Sequence, residues 1–187
     1  MRLPAALLAV AFPLAAAAPA LAQDFPKLKA GQWETTTTSA KTPGAAQNRI
    51  TMCTDEAVQK QMMTMGEGMR REMCSKSDLR REGGKFVGDS VCTIGGATMT
   101  SHSVMTVDGD TAYRTVVTAT YDPPFMGMKE STTTIEGRNV GPCRDGLKPG
   151  DVVTANGQKF NMTTMQNRPA AVPPAKAKQH DSAKVTQ

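Results

Sequence analysis

Four cysteines constrain this chain more than any other feature: Cys53, Cys74, Cys92 and Cys143 follow an N-terminal stretch that reads as a leader. Arg2 supplies a positive start, LPAALLAVAFPLAAAAPA an apolar run, and Ala20-Leu21-Ala22 a small-x-small cleavage signal. This is the pattern of a secretory signal peptide over residues 1–22, cleaved after Ala22. The apolar run is short and ends in a cleavage site, which argues against an uncleaved anchor, and no later segment is long and apolar enough to be a transmembrane segment. The cleavage site carries no lipobox cysteine, so a lipid anchor is not indicated. The expected localisation is periplasmic or secreted. In that setting four cysteines are expected to form two disulfides, for which three connectivities exist. None of the spacings is C-x-x-C, which removes a thioredoxin-like redox motif and a zinc ribbon.

The connectivity follows from a hairpin. Cys74–Arg81 and Lys85–Cys92 read as strands flanking Glu82-Gly83-Gly84. A three-residue loop there sets Arg81 opposite Lys85 and, continuing residue by residue, Cys74 opposite Cys92, close enough for a disulfide. Cys53 is left to pair with Cys143, closing a long loop.

The rest of the mature chain, Gln23 to Gln187, is β-rich. Gln32–Thr38 is strand-like, with Trp33, Thr35 and Thr37 on one face; residues 39–47 form a loop; Asn48–Met52 is a short second strand. A hairpin turning at Asp108-Gly109-Asp110 puts Met99, Met105, Val107, Tyr113, Val117, Ala119 and Tyr121 on one face. Thr98, Thr100, His102, Thr106, Arg114, Thr118 and Thr120 take the other. Val104, Val116, Ser101 and Ser103 break the pattern, but the split is that of a sheet wet on one side. Asp122-Pro123-Pro124 reads as a turn, Met126–Gly137 as a strand, and Arg138–Asp151 as irregular. Residues 151–165 hold a weak hairpin around Asn156-Gly157, or an extension, and residues 166–187 a disordered, basic, Pro/Ala/Lys-rich tail. Much of the formal net charge of +5 lies in that tail and in Arg2. The near-neutral body lacks the basic face of a nucleic-acid-binding protein.

One helix is expected. Thr54 is its N-cap, Asp55 and Glu56 complement its dipole, and Val58, Met62, Met65 and Met69 follow at spacings of four, three and four. At about 100° per residue they cover an arc of about 60°. Gly66 and Gly68 are expected to end or fray the helix before Met69. With aromatics at 4 %, methionine is a natural gap-filler, so the first reading of this stripe is packing against the sheet. The alternatives are an adaptable apolar surface or a Cu(I) site made by Met63, Met65, Met69 and Met73, since soft thioethers suit that ion. Met63 lies about 100° outside the stripe and is the best candidate for an exposed role.

Signs of catalysis are sparse. The two histidines are His102, on the polar strand face, and His180, in the tail. The chain has no G-x-S-x-G, no H-E-x-x-H and no phosphate-binding glycine loop. Asp108-Gly109-Asp110 lacks the remaining ligands of a calcium loop, and Gly95-Gly96 is a bulge or turn.

Leu28-Lys29-Ala30-Gly31-Gln32-Trp33-Glu34, then Met52-Cys53-Thr54-Asp55-Glu56, then the Cys-hairpin-Cys, then Gly137-Arg138-Asn139-Val140-Gly141-Pro142-Cys143, resemble the exported bacterial proteins of the domain-of-unknown-function family 3617 over residues 26–150. The resemblance implies a periplasmic β-rich domain with four cysteines and implies no activity. Together these readings predict an α+β domain over residues 23–150: a twisted antiparallel sheet, largely a hairpin meander, with one helix on its apolar face and two disulfides. The expected function is non-enzymatic binding of a small apolar ligand or another envelope component by a monomer, with no cofactor. The alternative is a Met-rich periplasmic Cu(I)-binding protein.

Overall fold

In the computed structural model, residues 25–40 and 48–165 are described; the leader over 1–22, loop residues 41–47 and the tail over 166–187 lie outside them. Among the described residues nine strands and two helices follow in the order β1 (Gly31–Ser39), β2 (Asn48–Thr54), α1 (Glu56–Met73), β3 (Cys74–Glu82), β4 (Lys85–Ile94), β5 (Ala97–Asp108), β6 (Ala112–Phe125), β7 (Met128–Gly141), β8 (Asp151–Val153), β9 (Lys159–Asn161) and α2 (Met162–Met165). The strands form one sheet in the order β3-β4-β5-β6-β7-β1-β2-β8-β9. Every pairing is antiparallel. The sheet is thus a five-strand meander, β3 to β7, joined through the β1–β7 pairing to the β1–β2 hairpin, which pairs in turn with the β8–β9 hairpin. Among the described residues no helix is long and apolar enough to cross a membrane.

Both disulfides pair as the hairpin argument requires, Cys74 with Cys92 and Cys53 with Cys143, with Cα atoms 3.8 and 5.6 Å apart. The register behind the first differs from expectation. The β3–β4 loop has two residues, not three, and sets Glu82 opposite Lys85. Gly83 and Gly84 both take left-handed φ values, +52° and +81°, as a two-residue turn matched to strand twist demands. That register alone would offset the cysteines by one. Ser75 is an extra residue in β3, and the bulge it makes brings Cys74 back opposite Cys92.

Three other boundaries move. The β5–β6 loop sets Asp108 opposite Ala112, so Met99 faces Tyr121 rather than Ala119. A shift of two residues leaves every side chain on its expected face. Asp122-Pro123-Pro124 lies inside β6 as a register break; the turn falls at Met126-Gly127. β7 then runs on to Gly141 beside β1, where irregular chain was expected.

The helix departs most from expectation. Asp55, not Thr54, is its N-cap, accepting from the Val58 N–H at 2.8 Å. It continues through Gly66 and Gly68 to Met73 and passes directly into β3. Geometry explains why. The helix leaves β2 and must reach β3, six places away in the sheet. Six inter-strand steps cover about 29 Å and eighteen helical residues about 27 Å. A continuous helix of this length matches the span without slack, and the glycine cost of about 1 kcal/mol each is overridden.

Among the described residues the buried apolar positions are few: Trp33, Cys53, Val58, Phe86, Val87, Cys92, Ala97, Ala119 and Val152. Asp151 is buried beside them, accepting from the Lys148 N–H and Asn161 Nδ2 at 2.9 Å and facing Lys159 Nζ at 3.0 Å. The Lys148 N–H, then Asn161 and Lys159, hold its carboxyl at about 2, below its ordinary value. With so thin a core the disulfides matter in proportion to the loops they close. On the chain-entropy model the bridge of separation 90 is worth about 4.5 kcal/mol and that of separation 18 about 3 kcal/mol. Urea unfolding should therefore show a larger loss of stability for Cys53→Ser/Cys143→Ser than for Cys74→Ser/Cys92→Ser.

Candidate functional site

A cavity of about 300 Å³ lies between the first half of α1 and the sheet. Cross-strand register builds its floor. Trp33 stands opposite Met52, Thr35 opposite Gly137, Gly137 opposite Tyr113, and Thr115 opposite both Ile135 and Met105. Alternation puts these side chains on the face that the sequence marks as apolar. Gln59 and Met62 of α1 and Leu28 of the lead-in form the roof. The roof is tied down: Gln59 Nε2 donates to the Leu28 carbonyl at 2.9 Å, Trp33 Nε1 to the Lys29 carbonyl at 2.8 Å, and the Lys29 N–H to the Asp110 carbonyl at 2.8 Å.

Tyr113 organises the floor. Its ring lies flat across Gly137, where an added Cβ would sit 2.3 Å from Cε1. From there it reaches Trp33, with ring centroids 5.7 Å apart, and its hydroxyl lies 3.3 Å from Thr35 Oγ1. Gly137 lies in a strand and is required for space, an aromatic ring filling what the missing side chain leaves.

The four methionines singled out in the sequence are all on α1 and exposed: Met63 43 %, Met65 37 %, Met69 49 % and Met73 43 %. This corrects the expectation that the whole stripe is buried. Val58 is buried and Met62 half-buried at the cavity roof, but the methionines beyond them are exposed, and the packing contacts of α1 are with β2, β3 and β4. A helix held at its two ends spans the sheet without filling the space beneath. All four cysteines are consumed in bridges.

The opposite face carries an open depression of about 800 Å³, lined by threonines 100, 118, 120 and 132 with Lys76, Asp78, Asp89, His102 and Glu130. At one end Asp89 accepts from Arg80 at 2.5 Å and lies 2.7 Å from His102 Nδ1. The His102 hydrogen bond, then Arg80, hold the Asp89 carboxyl below its ordinary range. The hydroxyl across the strand, Thr118, donates to the His102 carbonyl at 3.4 Å. Among the described residues no hydroxyl contacts the His102 ring, and no group of three His, Cys, Asp or Glu side chains is placed to hold a metal ion.

Sequence reasoning placed Met105 and Tyr113 on an apolar face and Trp33 on one face with Thr35, but missed their convergence with Gly137 and Met52, which the β1–β2, β6–β7 and β7–β1 pairings create together. It also missed the row Asp78-Asp89-His102. Treating Gly83-Gly84 and Gly95-Gly96 as two-residue turns would have set that row in register. Gly137→Ala should displace the Tyr113 ring, lower stability by about 1–3 kcal/mol as overpacking does, and change the fluorescence of Trp33, the chain's one tryptophan.

No curated protein and no solved structure matches the chain. A family model described as a protein of unknown function, DUF3617, matches residues 28–143, from the cavity roof at Leu28 to the bridge at Cys143. That stretch is more than half of the chain and includes every strand from β1 to β7, so this protein belongs to the DUF3617 family.

Proposed function

We propose that this protein is a non-enzymatic binding domain of the bacterial envelope that takes a small apolar ligand into the cavity beneath α1. The observation that supports this most is the cavity itself. Its volume of about 300 Å³ falls at the lower end of small-molecule sites, about 300–1,000 Å³. Its walls are mostly apolar, and the Tyr113 hydroxyl, Thr35 and Gln59 provide a few polar groups of the kind that orient a ligand. Met52, Met62 and Met105 supply adaptable surface. The envelope setting rests on the leader-like residues 1–22 and accords with two disulfides. A saturable change in Trp33 fluorescence with a neutral apolar probe such as N-phenyl-1-naphthylamine is the expected result. Filling the site with Thr115→Leu or Ile135→Phe should weaken binding about tenfold, the size of a lost apolar contact or two. Non-saturable binding, or binding indifferent to those changes, rejects the reading.

A second reading is Cu(I) binding by Met63, Met65, Met69 and Met73. It is favoured by the exposure of all four thioethers on one helix, with Met65, Met69 and Met73 one turn apart. Titration of the oxidised protein with Cu(I) against a competing chelator should show metal captured by the protein and lost in Met65→Leu/Met69→Leu. Failure to compete ends this reading.

A further inference from the structure

The apolar cavity adjoins a second depression, one that carries cations, on the same face of the sheet. This one, about 450 Å³, is lined by Phe25, Lys27, Arg81, Phe86 and Val107 among others. The two are neighbours by register. Phe86 stands directly opposite Met105 and Val107 directly opposite Tyr113, and Met105 and Tyr113 belong to the cavity. Side chains so paired have Cβ atoms about 5 Å apart. The lead-in segment runs over both, Lys27 facing the depression and its neighbour Leu28 the cavity.

The depression is cationic. Lys27 and Arg81 line it, and no Asp or Glu does. Arg81 lies over the Phe86 ring, 5.1 Å from its centroid, which holds the guanidinium in place. Among the described residues neither Lys27 nor Arg81 has a carboxylate partner, whereas Arg80, Arg114 and Arg138 each have one. Glu82, the acid adjacent to Arg81 in sequence, is taken by Arg80 at 2.5 Å. An apolar pocket beside two available cations is complementary to one kind of molecule.

We infer that the ligand is a single-chain amphiphile with an anionic head. Its apolar chain lies under α1 between Trp33 and Met105, and its carboxylate or phosphate sits between Lys27 and the planar fork of Arg81. This deepens the proposed function and rests on it. The test uses the purified, oxidised protein with dodecanoate, dodecyl phosphate and dodecanol below their aggregation limits, followed through Trp33. Both anions should bind at least about tenfold more tightly than the alcohol, the scale of one or two charge-assisted contacts. In Lys27→Gln/Arg81→Gln, whose fold is checked by circular dichroism, the anions should fall to the alcohol's affinity while the alcohol is unaffected. The difference between the two anions identifies the preferred head. Equal binding of all three, unchanged in the double variant, overturns the head-group assignment and leaves the apolar site standing. Absence of binding by any of the three overturns both.

Discussion

Strand β1 holds this molecule together, and the Cys53–Cys143 bridge holds β1. The strand lies between β7 and β2, and without it the sheet falls into two pieces, the β3–β7 meander and β2 with the β8–β9 hairpin. Gln32, at its start, is opposite Cys53 on one side and Gly141 on the other. The bridge joins Cys53 to a residue just past the end of β7 and so clamps both neighbours about that point. Cys53 is fully buried, and its carbonyl accepts from the Gly150 N–H at 2.9 Å, which brings β8 beside β2. A pairing between residues some hundred positions apart is costly in loop entropy, and a covalent closure of that loop is the most direct compensation.

The same anchoring dictates the helix. One end of α1 follows the Cys53 bridge and the other enters the Cys74 bridge, so its length is set by the distance between β2 and β3. Its apolar stripe is therefore not obliged to bury everything it carries. Val58 seats its first turn, Met162 of α2 lies near Val58, Met62 and Met65, and the remaining methionines stay open. The space left under the helix is the candidate site. A core richer in large aromatics would close it; here Trp33 and Tyr113 fill one end and threonines and methionines line the rest.

Charge is distributed in keeping with this plan. On the threonine-rich face and along the strands, arginines are matched to carboxylates: Arg80 to Asp78, Glu82 and Asp89, Arg114 to Glu136, Arg138 to Glu34. Such exposed pairs contribute little stability singly, but on the edge strand β3 they discourage pairing with another sheet. Against that background Lys27 and Arg81, which have no carboxylate partner among the described residues, mark the region next to the apolar cavity as different.

The antiparallel hairpins, the two faces, the helix start and the cysteine pairing were legible because each depends on neighbours in the chain: period-two alternation, glycine-rich turns, an acidic first turn. A residue-count register survived its own errors where the slip was of two, as in β5–β6, and where the Ser75 bulge compensated for it, as at Cys74. The helix end was misjudged because Gly66 and Gly68 carry a local propensity that a span between distant strands overrides. Sequence by itself determined that this is an antiparallel, disulfide-stapled sheet with a methionine-striped helix, since periodicity and cysteine spacing are local physics. Only the tertiary structure decided that β1 joins β7, that Tyr113 needs Gly137 to lie flat, and that Met63, Met65, Met69 and Met73 are exposed while Met62 roofs a cavity. Those outcomes arise from contacts between residues far apart in the chain, where geometry and not propensity sets what is filled and what is left open.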